Sequence, residues 1–442
     1  MKVDTNKLTG NPVVVYLYYT IPWAIGLVCL SSVPIVDGYF LGNYVGANAL
    51  AVVNLSIPVI SLLMALEIMI ATGASIRCGR YMGAHDYKNA SRIFTQAVIA
   101  VFAIIASIAL LLILNLDSIV EILGAPEELR SQLHQYLAII LLFNLFLPSG
   151  FILSFFIGLD GNPTLASIGM IISAITNIVL TWLFVAILDF GIVGAAISSG
   201  ISAFTNFVIL LSHFIKKDRR LYWLFTKENW AEVFSTMKNG ISDGISDSLG
   251  ALVVLFINWL IVYHYGANGL AAMAVINFIL SVNTDMSFSL GDSLQMLVSS
   301  NTGAKLPKRT QGFLNLAVST SITFGIIILI ITIFWNNQIS LLFIDKSEQE
   351  ILNLIKNGIF YVLPVFLFSG ITITLMAYFS ALEKPLYSGG IAISRSFAFP
   401  LISLTALPLL LGGIGIFIAL SLAEFLAMAV ALILLKRSRK AQ

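Results

Sequence analysis

Apolar residues along this chain form long unbroken segments, which short clusters of charged, Gly, Pro and Asn residues separate. Two of them, 94–116 and 312–335, contain no charged residue. A bilayer hydrocarbon core of about 30 Å is crossed by about 20 apolar residues in a helix. The segments lack the alternation of barrel strands, and open sheet edges leave backbone groups unsatisfied in lipid. The pattern therefore predicts an all-α membrane protein.

Breaking the apolar segments at the polar clusters predicts about twelve transmembrane helices. The first is expected to stay in the mature protein, because it is too long for a signal-peptide core and no small-residue cleavage site follows it. The seventh is expected to begin near residue 239. The predicted spans are 13–40, 47–76, 94–116, 134–157, 164–187, 190–215, 239–263, 268–300, 312–335, 354–380, 386–410 and 413–435.

Basic residues collect in alternate loops, which fixes the expected orientation in the membrane. They cluster at 2–7, 77–92, 216–220, 305–309 and 436–440, whereas the loops between these clusters carry mostly Asp and Glu. Loops rich in Lys and Arg face the cytoplasm. Both termini are therefore expected to be cytoplasmic, which requires an even number of spans, and the location expected is the plasma membrane.

The composition agrees with a membrane protein and excludes several other classes. Hydrophobic residues make up 58% of the 442 residues and charged residues 10%, with a mean hydropathy of +0.96. The formal charge of +2 is uninformative for a membrane protein, because the positions of the basic residues matter and not their total. No nucleic-acid partner is expected. The only two cysteines, Cys29 and Cys78, lie far apart, so helix packing is the expected role and neither a disulfide framework nor a metal motif is visible.

Short motifs recur in the two halves of the chain at nearly constant spacing. GANALA at 46–51 returns as GANGLA at 266–271, an offset of 220. Gly83 and Pro163 return as Gly303 and Pro385, and GIVG at 191–194 corresponds to GGIG at 412–415. The repeat predicts two six-helix lobes, 1–220 and 221–442, related by a pseudo-twofold axis along the membrane normal.

The basic stretch 216–238 is expected to connect the two lobes at the cytoplasmic surface. We interpret it as a topology determinant with an interfacial helix that Tyr222 and Trp223 anchor. The alternative is a specific site for anionic lipids.

Ionisable residues inside spans are costly, so they mark candidate sites. Asp37 lies near the outer end of the first span, three residues after Pro34. One interpretation is a boundary carboxylate that reaches solvent. The interpretation that we prefer is a protonatable switch that exchanges a proton against a substrate or cation.

The second half carries two further carboxylate pairs. Asp243 and Asp247 are four residues apart, either as a functional pair or as acids in the first turns that face the helix dipole. Asp285 and Asp292 share a face with Gln295 and other polar residues, which indicates a wet cavity or a hydrogen-bonded helix interface. Phe288 and Met296 could hold flat cations by stacking. The roles of Glu67, Glu424 and Arg395 stay open.

Several segments together resemble the multidrug and toxic compound extrusion (MATE) transporters over nearly the whole chain. These are TIPWAIG and IVDGYFLGNYVGANALA of the first two spans, GNPTLASIGMIISAITNIVLTWLF and DFGIVGAAIS of the fifth and sixth, and YGANGLAAMAVINFI of the seventh and eighth. Their order and spacing carry the resemblance, because none of the segments is a catalytic signature.

The resemblance implies two six-helix lobes that form a V around a central cavity. It also implies export of organic cations by antiport with H⁺ or Na⁺, without a cofactor and by a monomer. Asp37, beside Asn177, would couple transport to the ion and could bind Na⁺. The chain departs from the family at Thr181, where many relatives carry an aspartate.

The tenth span also lacks the acid of one family branch, so Asp247, Asp285 and Asp292 are expected to serve the second lobe. Alternating access would bend the first span near Pro22 and Pro34. A cationic small molecule is the expected cargo, since acids outnumber bases inside the spans.

Three other functions fit the sequence less well than cation export does. A lipid or oligosaccharide flippase of the same superfamily would show basic residues in its cavity. A channel would need a filter, which dispersed acids do not supply. An enzyme is not expected, because His85, His134, His213 and His264 form no HExxH set and no phosphate loop occurs.

Overall fold

The computed structural model describes residues 6–143, 146–215, 219–341, 344, 346 and 348–440. Within these ranges the side chains at 47, 147–149, 247 and 267 lie outside the description. Every regular element in the described part of the chain is helical. The prediction of an all-α membrane protein is confirmed.

The helices are numbered α1 to α16 in chain order. They are α1 Pro12–Ser31, α2 Val33–Phe40, α3 Ala47–Gly83, α4 Tyr87–Leu114, α5 Leu116–Ile122, α6 Glu127–Phe143, α7 Phe146–Leu159, α8 Pro163–Thr181, α9 Gly191–Leu211, α10 Trp230–Gly303, α11 Pro307–Ser340, α12 Gln349–Val362, α13 Val365–Ala381, α14 Pro385–Ile393, α15 Phe399–Leu411 and α16 Ile414–Lys440. Short π-helical segments continue α2, α8 and α14, at Leu41–Val45, Trp182–Ile187 and Ser394–Ala398.

Ten helices in the described ranges are long and apolar enough to cross a membrane, and α12 with α13 forms an eleventh candidate bent by 48°. These candidates follow the predicted spans closely, because long apolar runs can satisfy their backbone in lipid only as helices. At the predicted fourth span the structure has α6 and α7, on either side of residues 144–145.

Two local predictions are wrong. The helix of the seventh span begins at Trp230 and not near residue 239, so Asp243 lies more than three turns inside α10 rather than in its first turns. Residues 221–227 form no helix, although an interfacial helix was expected there. Their backbone N–H groups instead bond to hydroxyls of α4, from Tyr222 to Ser91 and from Leu224 to Thr95.

The chain divides into two compact units. The N-terminal unit comprises Met1–Gly240 with Gly303–Lys305, and the C-terminal unit comprises Ile241–Thr302 with Leu306–Gln442. In the N-terminal unit α8 packs against α1 and α9. In the C-terminal unit a hydrophobic core joins α10, α12, α13 and α16.

The internal repeat is also visible in the backbone, because left-handed residues end helices at matching positions. Gly46 and Gly266 have φ of 107° and 62°, and Gly191 and Gly412 have φ of 55° and 63°. Gly266 lies within the range given for α10 and divides it into two helices, Trp230–Gly266 and Asn268–Gly303, which meet at a kink. His85 and Lys305 also match, at 62° and 57°, although neither is a glycine. A left-handed residue stops a helix and allows the next one to start at a new angle.

Candidate functional site

The carboxylate of Asp37 lies inside the N-terminal unit, where α2 meets α8 and α9. Thr181 Oγ1 donates to Asp37 Oδ1 at 2.8 Å. Ser199 Oγ donates to Asp37 Oδ2 at 3.1 Å and accepts from Asn177 Nδ2 at 3.1 Å. Asp37 is therefore held by hydroxyl groups of two neighbouring helices. We name this group, with Ser198, the Asp37 site.

A chain of hydroxyl groups leads away from Asp37. Thr181 Oγ1 lies 2.6 Å from Ser198 Oγ, which lies 2.8 Å from the carbonyl oxygen of Ala195. A hydroxyl donates one hydrogen bond and its hydrogen rotates freely, so the same oxygen positions fit two proton arrangements. With Asp37 ionised, Ser198 donates to Thr181 and Thr181 to Asp37. With Asp37 protonated, every bond reverses and the chain ends at the Ala195 carbonyl.

Asn177 completes the site with an oxygen that has no partner. Its side chain is fully buried, and Nδ2 bonds to Ser199. Its Oδ1 has no hydrogen-bond partner in the part of the chain that the structure describes. Buried amide oxygens are normally satisfied, so this oxygen is a candidate ligand for a small ion or a water molecule.

The predicted hinge prolines take different positions in the first span. Pro22 lies inside α1, which continues through it. Pro34 lies in the first turn of α2, just after the break between α1 and α2 at Ser32. The boundary between α1 and α2 therefore lies just before Pro34, and Pro34 is three residues before Asp37.

In the C-terminal unit, Asp285, Phe288 and Asp292 are partly exposed on the second half of α10. Their spacing of three and four residues places them on one face of that helix. On the same helix, Asn283 donates to Ser369 of α13 at 2.8 Å, so part of the polar stripe forms a hydrogen-bonded helix interface.

The other cargo candidates of the C-terminal unit are more buried. Gln295 is 2% exposed, and its Nε2 lies 3.4 Å from Asp243 Oδ2. Met296 is 3% exposed. Asp247 lies in α10, but its side chain lies outside the described residues.

Two ionisable residues whose roles the sequence left open form a pair. Arg395 Nε lies 3.0 Å from Glu424 Oε1, with side chains 11% and 14% exposed. Glu67 is 1% exposed in α3, and its Oε1 has no hydrogen-bond partner among the described residues. Ser198 and Ser199 were missed, because serines are common in membrane helices and no sequence signal separates these two from the rest.

A polar cluster also ties the segment before α1 to the loop between α7 and α8. Lys7 is 6% exposed and donates to the carbonyl oxygen of Leu159. The adjacent Asp160 bonds to His213 Nε2 at 2.7 Å and accepts from the backbone N–H groups of Arg220 and Leu221. Burial lowers the pKa of Lys7 from 10.5 to about 8. The positive charge of Arg220 also lowers this pKa, whereas the negative charge of Asp160 raises it.

This lowered pKa predicts a pH-dependent stability. Between about pH 8 and pH 10.5 the unfolded chain binds the Lys7 proton more tightly than the folded protein does. The free energy of unfolding should therefore rise with pH across this window, by about 3 kcal/mol at most. Melting temperatures of the wild type and Lys7→Met in detergent test this: the difference between them should change only in that window. Parallel curves would contradict it.

Comparisons with known proteins agree with this fold and extend it. The family profile MatE matches residues 22–183 and 248–404, more than half of the chain. The multidrug export protein MepA of Staphylococcus aureus is 28% identical over 267 residues, 59% of this chain and 58% of MepA. The chain is thus matched over less than two thirds of this relative's length.

Two solved structures are similar along almost the whole chain. A point mutant of the Vibrio cholerae MATE transporter VcmN has a TM-score of 0.90 at 20% identity and covers 98% of both chains. An outward-facing multidrug resistance MATE family transporter of the MOP superfamily has a TM-score of 0.93 at 19% identity, covering 100% of this chain and 98% of its own. At these identities the likeness shows the fold.

The fold therefore defines a multi-pass helical membrane protein with the architecture of the solved MATE transporters. More particularly, the match of the MatE profile to both halves shows that the chain belongs to the MATE family.

Proposed function

We propose that this transporter exports organic cations from the cytoplasm by antiport with H⁺ or Na⁺, through alternating access. The observation that carries the proposal is the Asp37 site, a carboxylate inside the helical bundle that accepts hydrogen bonds from the hydroxyl groups of Thr181 and Ser199. Such a carboxylate exchanges a proton or a small cation without breaking an ion pair. The name of the relative MepA, a multidrug export protein, supports the export direction.

The hydroxyl chain from Thr181 to Ala195 supports H⁺ as the coupling ion. A proton arriving at Asp37 needs only a rotation of the hydroxyl hydrogens of Thr181 and Ser198, because the oxygen positions suit both states. Sodium coupling has a specific observation of its own. The unpartnered Asn177 Oδ1 could join Asp37 in the oxygen coordination that Na⁺ requires.

The cargo is proposed to bind through carboxylates and aromatic rings of the C-terminal unit. Asp285, Phe288 and Asp292 share one partly exposed helix face, and Asp247 is proposed to take part with them. Gln295 and Met296 follow one turn later on the same helix and are 2% and 3% exposed, so they would act from a more buried position. A face with this charge attracts cations and repels the anionic cargo of a flippase.

Loading of the ion would change the first span at the break beside Pro34, where α1 already ends and α2 begins. A helix break leaves backbone groups free to change partners, so it is the part of the span that can bend at least cost. Pro22 lies within the continuous part of α1, so a bend at Pro22 would occur at a greater distance from Asp37.

The remaining assignments follow from the same proposal. The protein would act as a monomer in the plasma membrane with both termini in the cytoplasm, as the basic loops indicate. Its two six-helix lobes would be 1–220 and 221–442, the halves that the internal repeat defines.

Dye efflux from proteoliposomes tests the proposed function. Vesicles loaded with ethidium would receive an imposed proton gradient, a sodium gradient or neither. We expect efflux only with a gradient directed against the dye movement, and its loss when an ionophore collapses that gradient. Efflux at the same rate under all three conditions would contradict antiport.

A further inference from the structure

Arg395 occupies a setting that would suit a free organic cation. Its guanidinium carbon lies 5.9 Å from the ring centroid of Phe288. Its Nε lies 3.0 Å from Glu424 Oε1. The three side chains come from α10, from the π-helical segment after α14 and from α16, all within the C-terminal unit. An aromatic face combined with a carboxylate is the chemistry that binds quaternary ammonium and other soft cations.

The Arg395–Glu424 pair is incompletely satisfied. Glu424 Oε2 is buried and has no hydrogen-bond partner among the described residues. Arg395 Nε is close to the carboxylate, but its N–H is not aligned for a hydrogen bond. A buried ion pair built for stability would satisfy both groups, since desolvation otherwise outweighs the attraction. The geometry thus leaves Glu424 with capacity for another cation.

Charge around this pair favours the arrival of a cation. Asp285 and Asp292 lie three residues before and four residues after Phe288, on the same face of α10. They add two carboxyl groups to the face of α10 that carries the Phe288 ring. Arg395 itself belongs to the π-helical segment Ser394–Ala398, and such local widenings of a helix occur often at functional sites.

We propose that Phe288 and Glu424 form a cation-binding subsite that Arg395 occupies in the absence of cargo. The guanidinium is an internal competitor: an arriving organic cation takes its place on the ring and the carboxylate, and departure of the cargo lets Arg395 return. The inference rests on the proposed export of cations and adds a named subsite and a release mechanism to it.

Binding of ethidium to the purified protein in lipid nanodiscs, followed by fluorescence anisotropy, tests the subsite. Arg395→Gln removes the competitor and should tighten binding by about 3- to 30-fold, the range of one cation–π interaction. Glu424→Gln should weaken binding, and adding it to Arg395→Gln should cancel the gain. The matched control is Arg309→Gln, which removes another arginine that lies over a ring, 5.2 Å from the centroid of Phe313, and should leave affinity unchanged.

A second variant covers the case in which Arg395→Gln fails to fold, as judged by gel filtration. Phe288→Leu keeps an apolar side chain and removes the aromatic face, so it should weaken ethidium binding with little change in melting temperature. A purely structural Arg395–Glu424 pair predicts that folded Phe288→Leu and Arg395→Gln bind as the wild type does, and that result would overturn the subsite.

Comparing the ethidium affinities of Arg395→Gln and the wild type also separates this inference from the proposed function. Wild-type protein that shows gradient-driven efflux while Arg395→Gln binds ethidium no more tightly would overturn the subsite alone. Wild-type protein without gradient-driven efflux would overturn antiport, whatever the binding ratios are.

Discussion

Asp37→Asn is expected to reduce gradient-driven efflux by about 100-fold, the upper part of the usual range of coupling between two sites. Asparagine keeps the size of the side chain: its oxygen can accept from Thr181 and its nitrogen can donate to Ser199. It cannot take up a proton or hold Na⁺ by charge, so the variant should fold but lose coupling. Efflux from proteoliposomes, normalised to the amount of inserted protein, measures the effect.

The matched control for this prediction is Asp189→Asn. Asp189 is exposed after the fifth span and has φ of 53°, a conformation that asparagine adopts as easily as aspartate. The control should retain wild-type efflux. Equal efflux by Asp37→Asn and Asp189→Asn would remove Asp37 from the coupling mechanism.

Glu232→Gln is expected to cause the largest loss of stability, about 3–5 kcal/mol, because it removes one partner of a buried ion pair. Glu232 accepts from Tyr81 at 2.6 Å, pairs with Arg92 and lies 3.6 Å from Arg77. The side chains of Arg92 and Glu232 are only 10% and 12% exposed, so solvent does not compensate the lost charge. Thermal unfolding in detergent measures the change.

Two further variants make the Glu232 prediction specific. Glu128→Gln changes an exposed acid in the first turn of α6 and should alter the melting temperature little. Arg92→Met added to Glu232→Gln removes the stranded charge and should recover part of the stability. No difference between Glu232→Gln and Glu128→Gln would show that the pair contributes little to the fold.

Most of the fold could be predicted from the sequence because lipid leaves the backbone few choices. A long apolar segment in a bilayer becomes a helix whatever its neighbours are. The predicted span 94–116 appears as α4, which starts earlier at Tyr87 and ends at Leu114, and the span 312–335 appears as α11, which is longer at both ends. The start of α10 could not be read from hydropathy. Residues before 239 are polar enough for a loop, and they extend the helix outside the apolar segment.

The connector failed as a prediction for a different physical reason. Tyr222 and Trp223 suggested an amphipathic helix at the membrane surface. In the structure this segment contacts residues that are distant in the sequence. The hydroxyl groups of Ser91 and Thr95 accept hydrogen bonds from its backbone N–H groups, and Trp223 packs against Phe94 with ring centroids 4.7 Å apart. Contacts across about 130 residues leave no local signal in the sequence.

The candidate site was predicted in part. Asp37 was predicted as an ionisable residue inside a span, Asn177 and Thr181 came from the family resemblance, and the structure brings the three together around two serines. The serines of α9 and the pairing of Arg395 with Glu424 depend on how the helices pack, which hydropathy and motifs do not encode. Thr181 offers Asp37 a hydroxyl group and not a second carboxylate.

The most direct test of the account measures the ion that leaves Asp37 when cargo binds. Purified protein in weakly buffered detergent solution would be mixed with ethidium, while a pH indicator follows released protons and a radioactive tracer follows displaced Na⁺. The account predicts stoichiometric release of one of these ions by the wild type and by Asp189→Asn, and none by Asp37→Asn. Equal release by Asp37→Asn and the wild type would contradict it.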